Sequence, residues 1–236
     1  MIYTVIIRHV SINCKEVLKM KSYIRNWYYI GGIIFAVLAF ALGIFGDQID
    51  PMRRIMIVLY MSLLVHQFEE YAVPGGFPAA WNYGVSGEKE LYDRYPLNTK
   101  SAFIVNICCA YPVYIFGIIF NSFLPLCLFV TYFTMPQILM HGILMNKKMG
   151  TFYNPGVATA LFVMLPAGIY SLWFIGTHYN FPVWYWWVPL LLQPVAALCM
   201  IGLPIKLCQS KNTPWIFSDR DIKGFSIQNH TARIRR

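Results

Sequence analysis

The chain alternates long apolar stretches with short polar connections. Each stretch runs apolar over the length of about 20 residues that a helix needs to cross a membrane. The strands of a membrane barrel would instead alternate in hydrophobicity from one residue to the next. The pattern predicts an all-α membrane protein with six transmembrane helices, at residues 27–46, 55–73, 102–120, 124–145, 156–176 and 184–205.

The composition agrees with this prediction. Of the 236 residues, 58% are hydrophobic and 12% are charged, and the mean hydropathy is +0.51. Soluble domains usually carry about 25% charged residues. The apolar stretches take up roughly half of the chain, which leaves too little for a separate soluble domain. We expect a basic N-terminal segment at 1–26, a membrane domain at 27–206 and a basic tail at 207–236.

The positive charge is distributed unevenly between the two sides of the predicted helices. The formal net charge is +9, from 19 Lys and Arg against 10 Asp and Glu. If alternate connections face the same side, seventeen of the 19 basic residues lie on the side of the two termini. Such an excess is typical of the cytoplasmic side. We therefore predict a multi-pass protein with both termini in the cytoplasm and membrane lipids as partners, and nucleic acid is not expected as a partner.

Charged or imidazole side chains within the predicted spans are limited to His66, Glu69, Glu70 and His141. The first three share an arc of about 100° on one helix face. His66 and Glu70 are four residues apart, a spacing that suits two ligands of one metal ion. Glu69 would then stand beside them as a general base for a metal-bound water. Because spans two and four run in the same direction, His141 should lie at the same cytoplasmic depth and supply a third ligand.

Five further residues fall on the predicted cytoplasmic side of the bundle. We expect them to contact the substrate or to support the ligands: Asn106, Tyr153, Asn154, Gly75 and Gly76. Simpler explanations exist for several of them. Asn106 can join two helices by a hydrogen bond, Asn154 can cap a helix, and the two glycines can form a turn.

The intramembrane carboxylates have an alternative explanation as well. They could belong to an interfacial network of ion pairs with Lys100 or Lys147, and His141 could be a hydrogen-bonded structural histidine. Buried charges need a partner in either case, because an unpaired charge at a helix centre costs about 2.5–3.5 kcal/mol on insertion scales.

The residues His66-Gln67-Phe68-Glu69-Glu70, followed by Pro-Gly-Gly at 74–76 and by Tyr-Asn-Pro-Gly at 153–156, form a wider motif. With the downstream Asn106 and His141 it resembles the family of integral membrane proteins named after its HXXEE motif. The resemblance covers roughly residues 55–176. It implies a site at the motif residues but no substrate, because the function of the family is unknown.

A looser similarity links the motif to the H-x-x-E-H sequence of soluble metallopeptidases, in which two histidines bind zinc and the glutamate is the base. Glu70 stands here in place of the second histidine. This similarity implies a divalent metal held by His66, Glu70 and His141, with Glu69 as the base. Zinc is the first expectation, and the carboxylate ligand also suits iron or manganese.

These observations favour a membrane-embedded metal-dependent enzyme, most simply a hydrolase that acts on a lipid or lipid-like substrate from the cytoplasmic leaflet. One alternative is a transporter that uses the same groups as a proton or cation relay. Another is an adaptor without catalytic activity, in which the motif joins helices and the basic tail at 211–236 binds anionic lipid. The sequence leaves the oligomeric state open.

Overall fold

The computed structural model describes the backbone of residues 2–225 and the side chains from Met20 to residue 225. This part of the chain forms helices and contains no strand, which confirms the predicted all-helical class. The long helices are α1 (Ile2–Phe45), α2 (Pro51–Tyr71), α3 (Thr99–Ile119), α4 (Leu124–Met149), α5 (Val157–His178) and α6 (Trp184–Cys208).

Five of these helices are long and apolar enough to cross a membrane: α3 to α6, and Met20–Gln48, which includes most of α1. The chain is therefore a multi-pass helical protein of membrane type. The remaining long helix, α2, is less apolar than the other five, because it has two arginines near its start and the motif residues near its end. Its insertion as a sixth span, and the side on which the termini lie, stay predictions.

The polar helix α2 lies at the centre of the bundle, where α1, α3, α4 and α5 pack around it. Asp50 begins the helix by accepting a hydrogen bond from the backbone N–H of Arg53, and Pro51 occupies the first helical position. Both choices are typical of helix starts. Its fully buried apolar residues include Met52, Met56, Leu59 and Leu64. The surrounding helices shield the polar residues of α2, and this makes a weakly apolar helix compatible with the bundle.

Four of the long helices contain one wide π-helical turn, at Ile104–Ala110, Leu139–Met145, Ala160–Met164 and Leu198–Gly202. In three cases a proline follows two residues later, at Pro112, Pro166 and Pro204. A proline has no N–H to donate and its ring clashes with the carbonyl four residues earlier. The wider turn relieves this clash, and turns of this kind occur frequently at functional sites.

The bundle has one end at which α2 and α4 stop and α3 and α5 start, and we call it the motif end. The connection between α2 and α3 folds over this end, where the Asn82 side chain hydrogen-bonds both backbone groups of Leu97. The chain after α6 then crosses the same connection, and the backbone N–H of Phe217 donates to the carbonyl of Asp93. The motif end is thus covered by ordered chain.

The predicted division into 1–26, 27–206 and 207–236 stays a prediction. Helix α1 continues through the first of these boundaries. Residue 1 and residues 226–236, which form the end of the predicted tail, lie outside the described part of the chain.

Candidate metal centre

The last turns of α2 bury four polar side chains at the motif end. His66, Gln67, Glu69 and Glu70 are each at most 6% exposed. They leave the helix in different directions, because successive residues are rotated by about 100°. Glu70 faces α4 and Glu69 faces the start of α5. His66 contacts both of these helices, through His141 and Thr159.

His66, Glu70 and His141 converge on one point. The Oε1 atom of Glu70 lies 3.7 Å from Nε2 of His66 and 3.3 Å from Nε2 of His141. The two imidazole rings meet edge to face with centroids 4.8 Å apart. One ligand atom of each residue lies within 4.8 Å of the others, so these three side chains could hold a metal ion.

The hydrogen bonds around Asn154 assign the proton on His141. The amide nitrogen of Asn154 donates to the carbonyl of His141 and to the side-chain oxygen of Asn146, at 2.7 Å each. The amide oxygen of Asn154 therefore faces Nδ1 of His141, at 2.7 Å. Because that oxygen can only accept, Nδ1 carries the hydrogen. Nε2 of His141 then faces the Oε1 atom of Glu70.

A second chain of hydrogen bonds assigns the proton on His66. The hydroxyl of Thr159 donates to the Oε2 atom of Glu69. Its oxygen lies 2.9 Å from Nδ1 of His66. With its own hydrogen committed to the carboxylate, the hydroxyl accepts from Nδ1–H, and Nε2 of His66 is left with its lone pair. Nε2 is buried and has no hydrogen-bond partner.

The centre of the site thus brings two ring nitrogens and one carboxylate oxygen toward one point. These atoms need a proton or a cation between them, because a nitrogen lone pair and a carboxylate oxygen both accept. Among the described residues, no Lys or Arg nitrogen comes within ion-pair distance of either Glu69 or Glu70. The network with Lys100 or Lys147 is therefore not formed, and the arrangement is suited to a cation.

Glu69 is held by the loop before α5 and by the first turn of that helix. Its Oε1 atom accepts from the Tyr153 hydroxyl at 3.1 Å and from the N–H of Ala158 at 3.2 Å, and its Oε2 atom accepts from the N–H of Thr159 at 2.8 Å. Burial is the main cause of a raised pKa at Tyr153, and the nearby carboxylate of Glu69 raises this pKa further. The hydroxyl of Tyr153 therefore keeps its proton. The base role of Glu69 stays a prediction. These contacts give it the further task of orienting Thr159.

A cavity of about 340 Å³ lies beside the three ligands. Its walls are mostly apolar and come from α2, α3, α4, α6 and the connection between α2 and α3, and they include His66, Glu70 and His141. Pro136 of α4 and Pro194 and Ala197 of α6 line it and are also exposed on the surface. The cavity therefore reaches the outside between α4 and α6, on the lateral surface of the bundle.

The five supporting residues predicted from the sequence have different positions. Asn106 lines the cavity, where its side-chain oxygen accepts from the Gln67 amide at 2.8 Å. Asn154 and Tyr153 hold His141 and Glu69. Gly75 and Gly76 form a turn with positive φ angles of 72° and 98°. A Cβ on Gly76 would come within 2.5 Å of the Phe225 backbone, so this pair contacts the chain after α6 and does not line the cavity.

Three residues at the site were missed from the sequence. Thr159 orients His66, Gln67 lines the cavity, and Gly156 packs against both imidazoles. A Cβ on Gly156 would lie 2.5 Å from Cε1 of His141 and 2.9 Å from Cε1 of His66. Its position at the end of Tyr-Asn-Pro-Gly was the one available signal. Thr159 carries no signal of its own, because a single threonine in an apolar helix is common.

Comparison with known families gives a match within the membrane domain. Residues 57–171 match the profile described as a protein of unknown function with HXXEE motif. No curated protein and no solved structure matches the chain. The matched segment contains the motif, His141, Asn154 and Thr159, and so the whole of the candidate metal centre. The expected family is thereby confirmed: residues 57–171 of this chain belong to the HXXEE family of proteins of unknown function.

Proposed function

We propose that the protein is a membrane-embedded metal-dependent enzyme, a hydrolase acting on a lipid or lipid-like substrate. One observation carries this proposal: His66, Glu70 and His141 each turn one ligand atom toward a single buried point, and the Nε2 atom of His66 has no hydrogen-bond partner among the described residues. Burying such groups unpaired is costly. A divalent cation held here by His66, Glu70 and His141 would remove this cost and would join α2 to α4.

The ligand set is one that catalytic metals use. Two histidines and one glutamate leave a coordination position free, as in several zinc hydrolases. A divalent metal supplies there a water of lowered pKa and polarises the bond to be attacked. A metal held by His66, Glu70 and His141 would be next to the cavity, because all three residues line it. Iron and manganese accept the same ligands, so metal analysis has to identify the ion.

The supporting residues match what a metal centre requires. Histidine ligands usually donate their second ring N–H to an oxygen that fixes the ring and raises its basicity. Asn154 does this for His141, and Thr159 does it for His66. Glu69 extends the second chain by accepting from Thr159. We propose that Glu69 positions His66 through Thr159, in addition to its predicted work as a base.

The cavity supports a substrate that enters from the membrane. It opens between α4 and α6, beside exposed apolar residues such as Leu139 and Leu198. A lipid-like molecule can enter there without leaving the apolar phase. With both termini and the motif end assigned to the cytoplasm by the positive-inside rule, the substrate comes from the cytoplasmic leaflet.

Metal analysis of the protein purified in detergent tests the proposal. We expect about one divalent metal per chain, lost in Glu70→Gln and in His66→Ala. Glu90→Gln is the matched control, because Glu90 is exposed in the connection between α2 and α3. Circular dichroism verifies that each variant keeps its helices. A wild-type protein that folds and binds no metal, even after exposure to zinc, iron and manganese, would end the proposal.

A further inference from the structure

Gln67 has a buried acceptor that nothing in the described structure satisfies. The residue is 1% exposed and lines the cavity, and its Oε1 atom has no hydrogen-bond partner. Leaving a buried polar atom without a hydrogen-bond partner is costly. Such atoms are rare in folded proteins, so each of them calls for an explanation.

The orientation of the Gln67 amide follows from its neighbours. The nitrogen of Asn106 donates to the carbonyl of Ala102 at 2.8 Å, so the side-chain oxygen of Asn106 faces Gln67. That oxygen can only accept, and Gln67 must therefore present its nitrogen. Turning the Gln67 amide over would place two oxygens against each other. The Oε1 atom of Gln67 is therefore an acceptor without a hydrogen-bond partner among the described residues.

This acceptor lies at the depth of the candidate metal centre. Along α2, Gln67 stands between His66 and Glu70, and the helix rises about 1.5 Å per residue. All three residues line the same cavity. A molecule whose reacting group reaches Glu70 therefore brings the adjoining part of its head to the level of Gln67. The remaining walls, which include Leu63, Phe133 and Ala197, suit an apolar chain.

We infer that the cavity binds a single-chain amphiphile whose head carries an N–H or O–H donor next to the reacting group, and that Gln67 Oε1 accepts from this donor. The assignment of a reacting group rests on the proposed function. The hydrogen bond to Gln67 requires only that the cavity be occupied. A secondary amide and an alcohol supply the same donor, whereas a tertiary amide and an ether do not.

Binding of matched probes to the purified protein tests the inference. The first pair is N-methyldodecanamide and N,N-dimethyldodecanamide, and the second is dodecanol and dodecyl methyl ether. We expect the donor-bearing member of at least one pair to bind about tenfold more tightly, because a lost hydrogen bond to a buried acceptor costs about 1.4 kcal/mol or more. The pair that shows the difference tells whether the donor is an amide or a hydroxyl.

Gln67→Met identifies the residue responsible. Methionine keeps the length of the side chain and removes the acceptor, so the preference for the donor should disappear in this variant. Gln48→Met is the matched control, because Gln48 is exposed just after α1 and is not one of the residues that line the cavity. It should keep the preference. Comparing ratios between variants cancels the partitioning of each probe into detergent micelles.

The outcomes separate this inference from the proposed function. A wild-type protein that binds both members of each pair equally, or that binds none of them, overturns the inference, whatever its metal content. An unchanged preference in Gln67→Met overturns it as well, and if that variant does not fold, the wild-type ratios still decide. If Gln67 serves only to join α2 to α3, its replacement weakens both members equally. A protein that shows the preference but holds no metal contradicts the proposed function alone.

Discussion

At the scale of single residues, the centre depends on side chains that fix the position of a proton. His66 and His141 suit the proposed role as ligands because Thr159 and Asn154 keep a hydrogen on Nδ1 of each ring. Without these partners each ring could carry its hydrogen on either nitrogen or rotate away. The affinity for metal should therefore respond to residues that do not contact the metal.

Thr159→Val removes the hydroxyl and keeps the shape of the side chain. Nδ1–H of His66 then has no acceptor, and we expect metal affinity to fall about 10- to 100-fold, the usual effect of losing such a partner. Titration of metal-stripped protein with zinc measures this. Thr159→Ser keeps the hydroxyl and should remain near wild type. Equal affinities for the valine and serine variants would contradict the role assigned to Thr159.

Gly156→Ala should disrupt the site sterically. The added methyl group would lie 2.5 Å from His141, in a backbone with φ of 106° that side chains rarely adopt. Strain of this kind costs about 1–3 kcal/mol, and the clash should displace His141 from Glu70. Gly150→Ala is the control, because Gly150 also has a positive φ, of 60°, but its Cβ would meet nothing within 4 Å.

Metal content and thermal unfolding of both variants separate the two effects. Backbone strain alone would lower the melting temperature of both. We expect the loss of metal only in Gly156→Ala. Metal retained at wild-type stoichiometry in that variant would show that the imidazoles tolerate a side chain at this position.

The sequence predicted the ligands better than their surroundings. Helical periodicity placed His66 and Glu70 on one face, and the direction of the spans placed His141 at their depth; the structure brings the three together. The same periodicity put Glu69 on that arc, at its edge. The position of a residue on one helix face does not show which neighbouring helix that face contacts. The contact between Glu69 and α5 could therefore not be predicted. Thr159 was missed for the same reason.

At the scale of elements, the first turn of α5 binds the carboxylate of Glu69. The free N–H groups of its first turn point toward Glu69, and the positive end of the helix dipole favours a negative charge there. This contact joins the end of α2 to the start of α5. It gives a buried charge a partner without a lysine or arginine.

Glu69→Gln should weaken this junction. A neutral amide forms weaker hydrogen bonds with the first turn of α5, and we expect the free energy of unfolding to fall by about 1.5–3 kcal/mol, the usual contribution of a hydrogen bond to a charged group. Thermal unfolding in detergent measures the change, with Glu90→Gln as the control. An unchanged melting temperature would show that the contact contributes little. If Glu69 also acts as a base, turnover should disappear while metal remains bound.

The helix positions followed from hydropathy, and their ends did not. Helix α3 begins at Thr99, three residues before the predicted span, because Asn98 caps it through the N–H of Ser101. Helix α4 continues to Met149, where Gly150 adopts a left-handed conformation and ends it. Prolines inside a helix favour local irregularity. That they produce wide turns rather than sharp kinks depends on local packing, which one sequence does not show.

At the scale of the whole molecule, the bundle places a polar helix inside a ring of apolar ones. This arrangement explains how a helix as weakly apolar as α2 can lie at the centre of the bundle. The polar groups of α2 are compensated by its neighbours and not by water. The predicted topology with six spans remains to be tested by experiment.

Labelling of single cysteines tests that topology. In a background without the native cysteines, we expect Asp47→Cys to react with an impermeant maleimide in intact cells and Glu90→Cys to react only after the membrane is made permeable. Asp47 lies in the connection between α1 and α2, and Glu90 lies in the next connection. Both residues are exposed. Labelling of both from the same side would mean that α2 does not cross the membrane.

The lateral opening between α4 and α6 determines which concentration governs binding. A ligand that enters through it responds to its mole fraction in the surrounding leaflet, and its concentration in bulk solution matters only through partitioning. Adding detergent or inert lipid dilutes such a ligand at constant total amount. Saturation curves measured at different detergent concentrations should therefore coincide only when they are plotted against the mole fraction of the ligand in the micelle or leaflet.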